Sequence, residues 1–453
     1  MLSDRASLRH PATITGVAIA TVGAVAFLTL VVADILGMFT NPYAGLVVFI
    51  VVPAIFVFGL LLIPVGIGLQ RRALRRDPSA PVDWPVVDLR RRRVRTTLLV
   101  LTAMTVVNAT LVLLAAQGSL HYMESSEFCG ASCHTPMHPQ YTAWQNTSHA
   151  QVDCVQCHIG EGAKALVHYK LAGVRQLVHV ISGNYPRPIP ASQAVLRPAL
   201  DTCGTCHAPT LGHGERTRTI REYAEDETNT ETATTLTMHV GGPGQKTASG
   251  RAIHWHADPN VRVEYITTDA DRQTIPFVRV INEKGETKEY VVEGTKPEAL
   301  AAGTTRTMDC IDCHNGAAHR ISPTAEQAVN RAMAAGRISR TLPFVRREAV
   351  RLLKSDYRDE AAASAAIDSG FRTVYAASKG GVDQAAVSQA IAATQLLYRT
   401  NVFPTMKVTW GVYRDNMGHT TSDGCFRCHD GSHVARDGSA IDADCATCHD
   451  SPQ

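Results

Sequence analysis

The sequence lacks any excess of charge beyond residue 95, and it lacks a single cysteine outside a pair. Residues 1–95 carry 11 Lys and Arg against 5 Asp and Glu, and 96–117 carry none of the four. The remainder therefore holds 33 basic against 36 acidic residues. A soluble part so near neutrality offers no basic face for nucleic acid, which argues against that class of partner. Missing as well is a small-residue cleavage site after the first apolar run. That run is also longer than the core of a signal peptide, so a cleaved leader is a poor account of it. No long internal repeat is visible.

The apolar residues are gathered at the N-terminal end. Residues 13–37, 44–69 and 97–117 are runs of the length a bilayer crossing takes, roughly 20 helical residues, and none shows the polar face that a buried soluble helix repeats every three to four residues. Three membrane spans are expected. Between the second and third lie Arg71, Arg72, Arg75, Arg76, Arg90, Arg91, Arg92, Arg93 and Arg95. Short arginine-rich loops stay in the cytoplasm, which places the N-terminus inside and the chain after residue 118 outside. Asp34, the one acid within the spans, reads as an interfacial residue near the outer end of the first.

The twelve cysteines form six pairs, and a histidine follows each pair at once. They are Cys129 and Cys133 with His134, Cys154 and Cys157 with His158, and Cys203 and Cys206 with His207. Further on come Cys310 and Cys313 with His314, Cys425 and Cys428 with His429, and Cys445 and Cys448 with His449. Cys-x-x-Cys-His is the attachment signature of c-type haem. Two thiols add to the vinyl groups, and the histidine binds iron from one face. With 19 histidines in 453 residues, six such coincidences have a probability on the order of one in a hundred million. Structural zinc would not require a histidine after every pair. Six covalently bound haems are expected. The first motif, CGASCH, holds three residues between its cysteines rather than two. Attachment of c-type haem happens outside the cytoplasmic membrane, in agreement with the orientation taken from the arginine loop.

Each iron takes His or Met as a second axial ligand in electron-transfer cytochromes. His149 and His419 stand shortly before attachment motifs, and His319 and His433 shortly after. Those four are expected as distal ligands, with Met137 a candidate for the first haem. His254 and His256 alternate as in a strand, so at most one is expected to face a given haem. His168, His179, His213 and His239 remain unranked, and His121 and His138 read equally as interfacial or solvent-facing. His10 falls on the cytoplasmic side.

The expected fold is a multihaem cytochrome c with little regular structure around the haems. It has three N-terminal transmembrane helices, a small β-hairpin insertion and a helical segment near the C-terminus. Residues 1–95 hold two spans and the arginine loop, and 96–207 the third span with three haems. Residues 208–309 form an insertion, its first part, 208–250, read as loop. Strands flank NEKG within 261–293. The fourth motif occupies 310–322, helices with a break at Gly380–Gly381 fill 323–405, and 406–453 forms a two-haem module.

The run EFCGASCHTPMHPQYTAWQNTSHAQVDCVQCHIGEG, continued in HYKLAGVRQLVHVISG, CGTCH and CIDCHNGAAHR, resembles the NapC/NirT/NrfH family of membrane-anchored quinol-oxidising cytochromes. The likeness covers 97–207 and 308–320. It implies a tetrahaem core that takes electrons from menaquinol or another quinol and passes them outward. His149 and His319 match the family's distal histidines. Met137 matches its methionine, one residue further from His134, and Lys170 its quinol-site lysine, whose plainer reading is a lipid-headgroup anchor. Family members usually have one membrane helix. The two extra spans and two extra motifs here are similar to longer inner-membrane members tied to electron export. The expected function is quinol oxidation at the inner membrane with transfer to a periplasmic cytochrome or reductase. Alternatives are a terminal reductase of a small oxyanion and a passive electron-transfer subunit of a larger complex. The oligomeric state is not legible.

Overall fold

The computed structural model describes residues 11–35, 47–76, 89–132, 135–159, 163–190, 198–207, 214–242, 246–247, 250–376 and 381–450. They fall into two compact units, divided after His134.

The first unit is helical. Helices α1 (Pro11–Ile35), α2 (Val52–Arg76) and α3 (Arg92–Glu124) cover the three apolar runs. Small residues let α1 and α2 approach closely. A Cβ on Gly59 would stand 2.5 Å from the Ala20 nitrogen, and one on Gly66 2.5 Å from the Thr13 nitrogen, so only glycine fits. Val22, Leu61 and Leu113 leave their side chains bare. Among the described residues, the stretch Val52–Leu69 is long and apolar enough to cross a membrane, and Pro11–Phe27 is a shorter apolar stretch. The three-span expectation thus has its full measure of length and apolarity in α2 alone. His10, the side chain of Asp34 and residues 77–88 of the arginine loop lie outside the described residues.

The second unit begins with α4 (His138–Gln145) and α5 (Ala163–Ser182). Next comes a two-stranded ribbon, β1 (Arg216–Tyr223) paired antiparallel with β2 (Glu231–Met238). This corrects the loop expected over 208–250. Threonine is β-branched and suits a strand, but so polar a stretch shows no apolar alternation to betray one. The turn closes through the Asp226 carboxylate, which accepts from the Thr230 N–H at 2.8 Å, with Asn229 at φ 51°.

The insertion is more than a hairpin. Strands β3 (Arg262–Thr267), β4 (Phe277–Ile281), β5 (Thr287–Val292), β6 (Thr304–Thr307) and β7 (His433–Ala435) form one antiparallel sheet in the order β6-β3-β4-β5-β7. NEKG is the β4–β5 turn, with Gly285 at φ 76° donating to the Asn282 carbonyl at 2.9 Å. The fifth strand comes from the C-terminal segment, so 406–453 is joined to the insertion by a sheet edge rather than standing apart. Regular structure also reaches the attachment motifs, against expectation, because Val263, Tyr265, Ile275 and Val278 share a core with Cys428.

Four helices follow the fourth motif: α6 (Ala325–Ala334), α7 (Val345–Leu353), α8 (Glu360–Ala376) and α9 (Gln384–Asn401). Thr324 caps α6 by accepting from the Gln327 N–H at 3.1 Å, and Asp383 caps α9. Their apolar faces close on Val329, Val345, Ile367, Phe371 and Val387, and Tyr223 of β1 completes this core. Of the glycine break, residue 380 lies outside the described residues and Gly381 has φ 73°.

Candidate haem centres

In the last five motifs the chain turns helically between the first cysteine and the histidine. His207 donates its backbone N–H to the Cys203 carbonyl at 2.8 Å, as do His314 to Cys310 (2.8 Å), His429 to Cys425 (3.0 Å) and His449 to Cys445 (3.1 Å). Residues three and four apart on a helical turn share a face, so both thiols and the imidazole address one side. Aspartates start two of these turns: Asp309 accepts from the Ile311 N–H at 3.0 Å, and Asp444 from the Ala446 N–H at 3.0 Å. No disulfide joins the described cysteines.

Each of these five motif histidines faces one histidine from outside its own motif. His158 and His319 have ring centres 6.1 Å apart, His207 and His149 6.0 Å, and His314 and His254 6.3 Å. His429 and His256 are 5.9 Å apart, and His449 and His419 6.3 Å. Two imidazoles on opposite faces of one metal ion need bonds of about 2 Å and about 1.1 Å more to each ring centre, about 6.2 Å in all. All five separations match that spacing.

Hydrogen bonds set the ring orientation as well. The Nδ1 atoms of His149, His319 and His256 meet the carbonyls of Ala317 (3.2 Å), Gln140 (3.0 Å) and Ile253 (2.7 Å). Those of His429 and His449 meet the carbonyls of Asp442 (2.6 Å) and Asp450 (2.7 Å). A carbonyl only accepts, so Nδ1 carries the hydrogen and Nε2 keeps the lone pair that a metal takes. Burial pushes His256, His314 and His319 below the usual imidazole range, which keeps them in the neutral, coordinating form.

His433 departs from its expected role. It is 1% exposed, with Nε2 donating to the Ile275 carbonyl at 2.7 Å and Nδ1 3.1 Å from the Asp430 carboxylate. Both nitrogens are engaged by protein groups, so this histidine is structural. The strand expected at His254 and His256 is corrected too. They sit on a 3-10 turn, Ile253–Ala257, rather than a strand, and each faces a different motif.

The remaining candidates are scattered. Met137 ends the short turn Thr135–Met137 before α4, and Cys129 begins a helical segment, Phe128–Ser132. Cys133, His134 and His213 lie outside the described residues, as do the side chains of Lys170 and His168 on α5. His121, His138 and His179 are exposed. His239 is buried between Glu215 and Asp450, at 3.4 and 3.3 Å.

Neighbouring motifs meet in chain order. The turn Cys154–His158 packs against Ala199–Cys203, which packs against Cys310–Cys313. Arg427 of the fifth motif bonds the Asp312 carbonyl of the fourth, and Cys428 and Cys448 line one cavity. A cavity of about 890 Å³ opens between His256 and His429, with Cys425 and Cys428 beside them and Trp255, Val278 and Tyr290 as apolar walls. Thiols, paired imidazoles and an apolar room together fit a covalently attached macrocycle. A second cleft, about 520 Å³, is lined by His149, His314, Arg320, Arg331 and Arg337 with one acid, Asp415, and that acid already pairs with Arg320 at 2.8 Å.

Residues 91–189 match the family model described as the N-terminal region of the NapC/NirT cytochrome c family. The chain is 34% identical over 450 residues to the cytochrome c-type protein ImcH of Geobacter sulfurreducens, covering 98% of this chain and 88% of that protein. It is 32% identical over 99 residues to the cytochrome c-type protein NrfH of Wolinella succinogenes, 21% of this chain and 55% of that one. No solved structure matches. A likeness that runs nearly from end to end, together with the family's own region, establishes that the chain belongs to the NapC/NirT family of multihaem c-type cytochromes, which bind haem covalently.

Proposed function

We propose that this protein is a membrane-bound electron-transfer cytochrome with six c-type haems, oxidising quinol and delivering electrons to a soluble periplasmic acceptor. The observation that carries this reading is the set of five histidine pairs. Haem supplies reversible one-electron chemistry, and the protein supplies orientation and electrostatics. Cysteine pairs would hold each group, the five histidine pairs would bind iron at the last five motifs, and backbone carbonyls hold rings of those pairs in the coordinating tautomer. Arg331 and Arg337 in the smaller cleft suit the carboxylates of a group held by His149 and His207. The unbroken succession of motifs from Cys154 to His449 supports transfer from one end to the other.

Membrane placement rests on the apolar runs and the arginine loop, read as three spans with a cytoplasmic N-terminus. Helix α5 adds support. Leu171, Val174, Val178 and Ile181 are exposed on it at spacings of three and four, an apolar stripe suited to lying in a bilayer interface. Lys170 directly precedes Leu171 in the sequence, and its match to the family's lysine supports its reading as a quinol-site residue. Reduction of a small oxyanion would need an iron with an open site, and the five pairs leave none in the motifs they serve.

Anaerobic addition of a menaquinol analogue to the purified protein is expected to reduce its haems within seconds, and Lys170→Ala to slow that reduction at least tenfold. No reduction by quinol, with normal reduction by dithionite, would sink the proposal. Mild-detergent purification is expected to yield an active lone chain, whereas a stoichiometric partner needed for activity would favour the subunit reading.

A further inference from the structure

Asp312 and Arg427 occupy the same place in two motifs, the residue before the second cysteine of CIDCH and of CFRCH. Elsewhere that place holds Gln156, Thr205 and Thr447, which are exposed or half-buried. Asp312 and Arg427 are instead 1% and 9% exposed, and they lock the two motifs together. The Arg427 guanidinium donates to the carbonyl of Asp312 at 2.7 Å, of Arg272 at 2.9 Å and of Gly424 at 2.8 Å. Asn416 donates to the same Asp312 carbonyl at 3.1 Å.

The Asp312 carboxylate is engaged by other groups. It accepts from the Tyr265 hydroxyl at 2.6 Å and from the Asp309 N–H at 2.8 Å, and it pairs with Arg272. One carboxylate therefore answers one of two buried guanidiniums. Among the described residues Arg427 bonds only to neutral carbonyls. Asp312 and Arg427 directly precede Cys313 and Cys428, the second attachment cysteines of the two motifs. A fixed cation in a low-dielectric interior favours whichever redox form carries less positive charge, and for haem that is the reduced form.

We infer that Arg427 sets the reduction potential at the joint between the fourth and fifth motifs, its unanswered buried charge raising the potential there while its hydrogen bonds fix the two motifs to each other. The inference rests on the haem-carrying reading above. An electron reaching either centre from a neighbouring one lowers the local charge by one, and Arg427 stabilises that state.

Spectroelectrochemical titration of the full haem-loaded protein tests this. Arg427→Met is expected to make one component about tenfold harder to reduce, about 59 mV for one electron, with the others unmoved. Arg427→Lys keeps the charge and is expected to restore the native midpoint. Asp312→Asn removes the one negative charge and is expected to move the same component in the positive direction. Unchanged midpoints in Arg427→Met, or shifts of one sign in all three variants, would overturn the inference, since a purely structural effect does not follow charge. The number of haems per chain and reduction by quinol are measured on the same samples. Failure of either bears on the functional proposal, and the shift with Arg427 is still read from the haems present.

Discussion

Three histidines near attachment motifs each face the histidine of a different motif. His149 lies shortly before Cys154 yet faces His207, His319 follows His314 yet faces His158, and His419 precedes Cys425 yet faces His449. Local chain geometry explains this, because a residue a few positions from a motif histidine cannot swing round to face that histidine, whereas the histidine of another motif lies opposite it. His319→Met is therefore expected to raise the potential of the second motif's centre, since methionine ligation does so, and a redox titration checks it. His433→Gln is expected to leave every haem spectrum unchanged while lowering stability by about 1–3 kcal/mol, because the Ile275 carbonyl loses its buried donor. Conversion of any haem to the high-spin state in that variant would show that His433 is a ligand after all.

Secondary-structure elements differ in how openly the sequence announces them. The NEKG turn and the apolar strands around it were legible, as were the helices of 323–405, whose apolar faces recur with helical spacing. The β1–β2 ribbon was not, because strands so rich in threonine and charge have no apolar alternation. Its turn depends on an ionised group. The Thr230 hydroxyl and N–H hold Asp226 below the usual carboxylate range. That contribution is complete above the ordinary carboxylate pKa, about 3.9, and is lost as pH falls through the lowered folded-state value. Loss of ribbon protection in hydrogen exchange is expected only in that acid window, and Asp226→Asn is expected to show it at neutral pH. In the helical part, Phe371 is fully buried, and Phe371→Ala is expected to cost about 3–5 kcal/mol, seen as a lower denaturation midpoint.

At the scale of the whole molecule, bare apolar side chains among the described residues gather on α1–α3 and along one stripe of α5. Bare stripes of that size are costly in water and favourable in a bilayer. Val178→Asp with Ile181→Asp is expected to slow quinol-driven reduction several-fold and leave dithionite reduction unchanged, because only access to the bilayer is altered. Equal rates for the variant and the native protein would remove the stripe from the functional account.

The sequence by itself determined the candidate attachment sites, because thioether formation and axial ligation from one side need two thiols and an imidazole within a single helical turn, a purely local requirement. It determined the apolar runs for the same reason. Only the tertiary structure decided which distal histidine serves which motif, that His433 belongs to the sheet, and that Asp312 and Arg427 meet. Those partners come from distant parts of the chain, and their identity depends on how the β-sheet, α4 and the motif turns pack together, which no local pattern records.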